Sequence, residues 1–215
     1  MAVDTKIAEQ HRIKSRQARL GLACMASGAL GVAVAAFTLA YPAAVPSTQW
    51  SYPFPPTVQV VISVVLAAAH LLTLAGFVGV WYARPFGQSR LAPAGLWVAV
   101  MGYFGLAIAE ILSGAIGDQE TTSSAATAVG TVFGIASLLT ALGSIVAGTA
   151  IARTAVWRGM GRWMVLASGV VMVVLVTPAN IANSELLRMI ALSLWSLTFL
   201  PLGRTIIVER AEPRR

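Results

Sequence analysis

The chain has 215 residues, 57% of them hydrophobic and only 11% charged, with a mean hydropathy of +0.78. A water-soluble domain carries about 25% charged residues, so these figures exclude an ordinary soluble globular fold. The net charge of +7 does not indicate nucleic-acid binding, because the basic residues flank long apolar runs. Cys24 is the single cysteine, which excludes an internal disulfide, and no Cys or His cluster has metal-ligand spacing.

Residues 1–19 form a basic segment with Lys6, His11, Arg12, Lys14, Arg16 and Arg19. It is expected to be a short amphipathic lead-in at the membrane surface. The first apolar run, 20–41, exceeds the about 7–15 residues of a signal-peptide core and is read as a retained transmembrane helix. A proline-rich, uncharged loop follows, with Pro42, Pro46, Pro53, Pro55 and Pro56 breaking any helix. It carries Trp50, Tyr52 and Phe54, residue types that gather at membrane interfaces. They are read as an interfacial belt or as a lid over the bundle mouth.

Five further spans are predicted at 58–82, 94–116, 125–152, 163–181 and 186–207, followed by a basic tail at 209–215. Each is close to the about 20 residues needed to cross a hydrocarbon core. The fold class is therefore all-α, a six-helix transmembrane bundle in one domain, 20–208. The fourth span contains Gly130-Thr131-Val132-Phe133-Gly134 and, at the same spacing, Ser144 and Gly148. This small-xxx-small pattern lets helices pack closely. Ala26-Ser27-Gly28 and Ala167-Ser168-Gly169 share a tripeptide, too little for an internal repeat.

With six spans, both termini lie on one side, and 14 of the 15 Lys and Arg residues fall there, Arg188 being the exception. The positive-inside rule makes that side cytoplasmic. The expected location is a plasma membrane, with membrane lipids as partners, room for a homo-oligomer or a larger membrane complex, and no nucleic acid.

Ionisable residues inside spans are costly and mark candidate sites. His70 lies in the second span beside Ala67, Ala68 and Ala69, and Glu110 lies in the third on one face with Tyr103 and Gly114. At 1.5 Å rise per residue, Glu110 lies roughly 9 Å and His70 roughly 18 Å from the outer ends of their spans. That depth difference predicts no direct bond between them, and makes Arg188, near the outer end of the sixth span, the expected partner of Glu110. Cys24 and His70 leave a two-ligand metal site geometrically open. Two-histidine haem ligation is excluded because His11 lies in the basic segment; a single-histidine haem site is open in principle.

Three roles compete for these residues. Glu110, held by Arg188, Tyr103 or a backbone group, fixes the packing of spans three and six; or Glu110 and His70 line an outward-open pocket for a lipid-like or small organic ligand; or they relay protons in a transporter or act as acid and base in an intramembrane enzyme. No phosphate loop, dinucleotide fingerprint, nucleophile elbow or HExxH motif is present, so no residue is assigned a catalytic role and no cofactor is expected. The leading reading is a non-enzymatic membrane protein, either an accessory subunit or a binder of a lipid-like ligand. The candidate residues are His70, Glu110, Tyr103 and Arg188, with Trp50, Tyr52 and Phe54 as lid or interface.

Trp50-Ser51-Tyr52-Pro53, His70-Leu71, Gly95-Leu96-Trp97-Val98-Ala99-Val100, Glu110 and the Arg162-Trp163 entry to the fifth span resemble a group of small six-span membrane proteins of actinobacteria. The resemblance runs over most of the chain. It implies that the outer aromatic loop, the histidine and the glutamate form a shared feature, and it carries no activity with it.

Overall fold

The computed structural model describes residues 2–154, 156–182 and 184–209, with side chains from residue 13 onward in the first helix. Long apolar runs that cannot hydrogen-bond to lipid satisfy their backbone internally as helices. They do so here as α1 (Ala2–Ala40), α2 (Pro56–Ala83), α3 (Leu91–Ala115), α4 (Ser124–Thr154), α5 (Gly161–Val171), a π segment (Met172–Val176), α6 (Thr177–Ile181), α7 (Glu185–Leu197) and α8 (Phe199–Val208). Among the described residues there is no strand. Six helical stretches are long and apolar enough to cross a membrane, the fifth running from Gly161 to Ile181 and the sixth from Glu185 to Val208. The protein is a multi-pass membrane protein with an all-α six-helix bundle.

The basic segment runs without a break into the first span: α1 is continuous from Ala2, since neither Gly nor Pro interrupts residues 2–20. Spans five and six, by contrast with the expectation, are not single α-helices. Pro178 has no N–H to give to the carbonyl four residues back, and the ladder just before it widens to π geometry over Met172–Val176. The Thr177 hydroxyl donates to the Met172 carbonyl at 2.9 Å. In span six, a turn at Thr198 separates α7 from α8 ahead of Pro201, and the Thr198 hydroxyl donates to the Trp195 carbonyl at 2.6 Å.

The helices close a ring in chain order. α1 packs on α2, α2 on α3, α3 on α4, α4 on α5, and α7 and α8 return to α1. The tightest joint is α3 with α4, where small residues let the backbones touch. A Cβ on Gly95 would sit 2.6 Å from the Ala147 nitrogen, and one on Gly143 would run into the Ala99 backbone. Ser144 and Gly148 also serve close packing: Ser144 is buried, and Gly148 abuts the Leu166 backbone. Gly130 and Gly134 do not, for a Cβ on either would meet nothing within 4 Å. Among the described residues, the first GxxxG therefore packs against no other helix.

The two ends of the bundle differ in charge. Arg84, Arg90, Arg153, Arg158, Arg162 and Arg204 gather at one end, called here the basic end. There the Glu209 carboxylate accepts from the Arg158 backbone N–H at 2.6 Å, and the Thr154 hydroxyl donates to the Pro85 carbonyl at 2.7 Å. The opposite end carries Asp118, Glu120, Glu185 and Arg188. The core fills the half near the basic end, where Phe77, Val80, Leu96, Ile151, Trp157, Val165, Leu202 and Ile206 are fully or almost fully buried. The half towards the acidic end is hollow.

Candidate functional site

The hollow is a cavity of about 760 Å³. Its existence follows from how the ring is closed. α4 packs along α5 and touches the π segment, but among the described residues no Cα of α6 or α7 comes within 8 Å of it. Between these elements the wall is thin in the sense that, among the described residues, no helix packs across it. Gly130, Gly134 and Leu138 line the α4 side, and Thr177, Asn180 and Ile181 line the other. Gly130, Gly134 and Ile181 are exposed on the surface as well.

His70 and Glu110 face each other across the α2–α3 joint, with Nε2 and Oε1 3.5 Å apart and each side chain 12% exposed. This corrects the expectation that depth keeps them apart. The depth calculation assumed that α2 and α3 end flush, and they do not. A Cβ on Gly114 would lie 3.0 Å from the Ser63 side chain, which sets Gly114 level with Ser63. α2 thus overshoots α3 towards the acidic end by roughly 9 Å, about six residues of helix rise. In this antiparallel register Glu110 lies opposite Ala67, less than one turn from His70. Side chains lean towards the N-terminus of their own helix, so His70 leans towards the acidic end and Glu110 towards the basic end, and they meet.

The expected Glu110–Arg188 pair is not formed. Arg188 hydrogen-bonds instead to Glu185 at 3.1 Å, one turn back on α7. A partner at i−3 is within reach of a guanidinium without any tertiary adjustment. Glu185 is also placed to favour the start of α7. Tyr103 does not line the cavity. It is fully buried beneath it, within an aromatic floor. Its ring centroid lies 4.8 Å from Phe77, and it stacks on Trp195 at 6.0 Å and 17°. Trp195 in turn lies 5.0 Å from Phe199 and 6.0 Å from His70. Cys24 donates to the Phe199 carbonyl at 3.4 Å and lies level with Gly76. Six residues of α2, about 9 Å of helix rise, separate that level from His70, so the two share no metal site.

Trp50, Tyr52 and Phe54 all line the cavity, so the proline-rich loop covers the mouth rather than lying as a belt against lipid. Its placement is built from hydrogen bonds to the α3–α4 loop. The Trp50 N–H donates to the Gln119 carbonyl at 2.8 Å, and the Thr121 N–H to the Thr48 carbonyl at 2.8 Å. The Gln49 side-chain amide donates to the Gly117 carbonyl at 3.0 Å. The Trp50 indole donates to the Ser113 hydroxyl at 2.9 Å, one turn above Glu110. Gln59 donates to the same hydroxyl at 3.3 Å. Phe54 stacks on Phe37 at 5.7 Å and meets Tyr41 edge-on at 4.8 Å, which pins the far end of the loop to α1.

A smaller cavity of about 290 Å³ lies at the rim. It shares Trp50, Tyr52, Thr121, Glu185 and Arg188 with the larger one, so the two adjoin. On the α1 side the Ser27 and Thr73 hydroxyls bond to each other. Four contributors escaped the reading of the sequence: Gln59, Ser113, Glu185 and Trp195. Gln59 and Ser113 were visible as polar residues within apolar runs, and Glu185 as an acid three residues before Arg188. Trp195 carried no signal of its own.

The arrangement combines an apolar and aromatic wall, a carboxylate–imidazole pair and a rim of hydrogen-bonding groups. It can bind a molecule that is largely apolar with one polar or charged group. No known family model matches the chain, and neither the curated proteins nor the solved structures compared with it include a significant match.

Proposed function

We propose that this protein is a non-enzymatic binder of a lipid-like ligand, which it holds in the half of the membrane facing away from the cytoplasm. The observation that carries the reading is the cavity of about 760 Å³, which falls within the about 300–1,000 Å³ of ordinary ligand sites. Its thin wall between α4 and α6 supports a ligand drawn from the bilayer rather than from water. Of the two non-enzymatic roles, accessory subunit and binder, the cavity favours the binder. The orientation rests on the basic loops: Arg84, Arg90, Arg153, Arg158 and Arg162 at one end support a cytoplasmic placement of that end, in what we read as a plasma membrane. The mouth under Trp50 then opens outwards.

A bifunctional fatty-acid probe, photoactivated in native membranes, tests the reading. Crosslinks on Leu66, Phe133 and Leu192, which line the cavity, are the expected result. Crosslinks spread evenly over lipid-facing residues such as Trp97 and Ile135 would overturn it.

The closeness of His70 to Glu110 favours one second reading, a proton-coupled transporter. That role needs the aromatic floor of Phe77, Tyr103, Trp195 and Phe199 to open towards the basic end. Proton flux in liposomes, abolished by Glu110→Gln, is its signature; absence of flux from the unaltered protein rules it out.

A further inference from the structure

The charges around the cavity select the kind of ligand, on the premise that the cavity is a lipid-like binding site. Among the described residues that line it, the charged and titratable groups are His70, Glu110, Tyr52, Glu185 and Arg188. Arg188 is already held by Glu185, and a second Glu185 oxygen, Oε1, is buried without a partner among the described residues. Inside, among the described residues, the ionisable partner of Glu110 is the imidazole of His70, and no lysine lines the cavity. On the loops at this end of the bundle, outside the cavity lining, Asp118 and Glu120 add two acids to the Glu185–Arg188 pair, and Arg188 is the single base there among the described residues. The opposite end of the bundle is strongly basic. A cleft of one sign with low-dielectric walls concentrates ions of the opposite sign.

The walls point the same way. Trp50, Tyr52, Phe54, Phe133, Trp195 and Phe199 all line the cavity, and aromatic faces attract organic cations most strongly where water is excluded. An anionic headgroup finds no such reception: the one guanidinium among the described lining residues is already paired with Glu185. We propose that the ligand is a cationic amphiphile, its ammonium-type group drawn in past Glu185 to Glu110 among the aromatic rings and its chain lying along the thin wall beside Gly130 and Gly134.

The test uses three probes of equal chain length: decyltrimethylammonium, decyl sulfate and decanol, each titrated below its micellar concentration against the whole protein in lipid nanodiscs. The cation is expected to bind saturably and at least tenfold more tightly than either other probe. Glu110→Gln, with a melting profile and gel-filtration peak like the parent's, is expected to remove most of that preference. Equal binding of the sulfate or the alcohol overturns the charge assignment while leaving the pocket in place. No saturable binding of any probe overturns the pocket itself. The charge selectivity of the unaltered protein decides the matter even where Glu110→Gln fails to fold.

Discussion

At the residue scale the decisive contact is His70 with Glu110, 3.5 Å apart and mostly shielded. Charged and polar contacts between transmembrane helices are modest, averaging about 0.6 kcal/mol and reaching about 1.7 kcal/mol, because the separated helices also find partners. A double-mutant cycle on stability with His70→Gln and Glu110→Gln is therefore expected to give a coupling in that range. The matching cycle between Glu110 and Arg188 should give none within error, since Arg188 belongs to Glu185. A coupling that appears with Arg188 and not with His70 would contradict the register of α2 and α3. The ionisable residues themselves were legible in the sequence, because charge within an apolar run is conspicuous. Their pairing was not. It depends on how far α2 projects past α3, and hydropathy says nothing about the relative height of two helices. The Glu185–Arg188 pair needed only a spacing of three on one helix. That spacing is visible in the sequence, whereas a longer-range partner for Arg188 depends on packing.

At the element scale the glycines divide into two kinds. Gly95, Gly102 and Gly143 bring α3 and α4 together, and any side chain there meets backbone. Gly130 and Gly134 leave open space beside the cavity. Overpacking a tight joint typically costs about 1–3 kcal/mol and sometimes more. Gly143→Leu is thus expected to lower thermal stability sharply or prevent folding, whereas Gly134→Leu should fold like the parent. Comparable losses from both would show that α4 presents another face to α3. Sequence spacing alone singled out 130 and 134, because a GxxxG reads the same whether a neighbour fills it or not. The working contact is distributed over two helices, Gly95, Ala99 and Gly102 against Thr140, Gly143 and Ala147, and no single-helix motif displays such a pairing. The π segment and the turn at Thr198 had clearer origins in Pro178 and Pro201. Both prolines lie within apolar runs that otherwise read as uninterrupted.

At the scale of the whole molecule, the number of spans and the charge asymmetry of the two ends follow directly from the sequence. Each apolar run is long enough to need no tertiary help in becoming a helix. The ring order and the hollow half emerge only when the six are packed. The orientation is open to a direct check, with buried Cys24 replaced and single cysteines placed at residues 119 and 87. A reagent that cannot cross the membrane should label the first in intact cells and not the second. The reverse pattern would turn the mouth towards the cytoplasm.

The most direct measurement is a native mass spectrum of the protein extracted gently from its own membrane, set beside that of Gly134→Leu. A discrete added mass of roughly a few hundred daltons, the size of a molecule such a cavity encloses, is expected on the parent protein. This mass should be lost or much reduced when a side chain fills the space beside Gly134. A bare parent protein, or an added mass that survives Gly134→Leu unchanged, would contradict the ligand-binding reading.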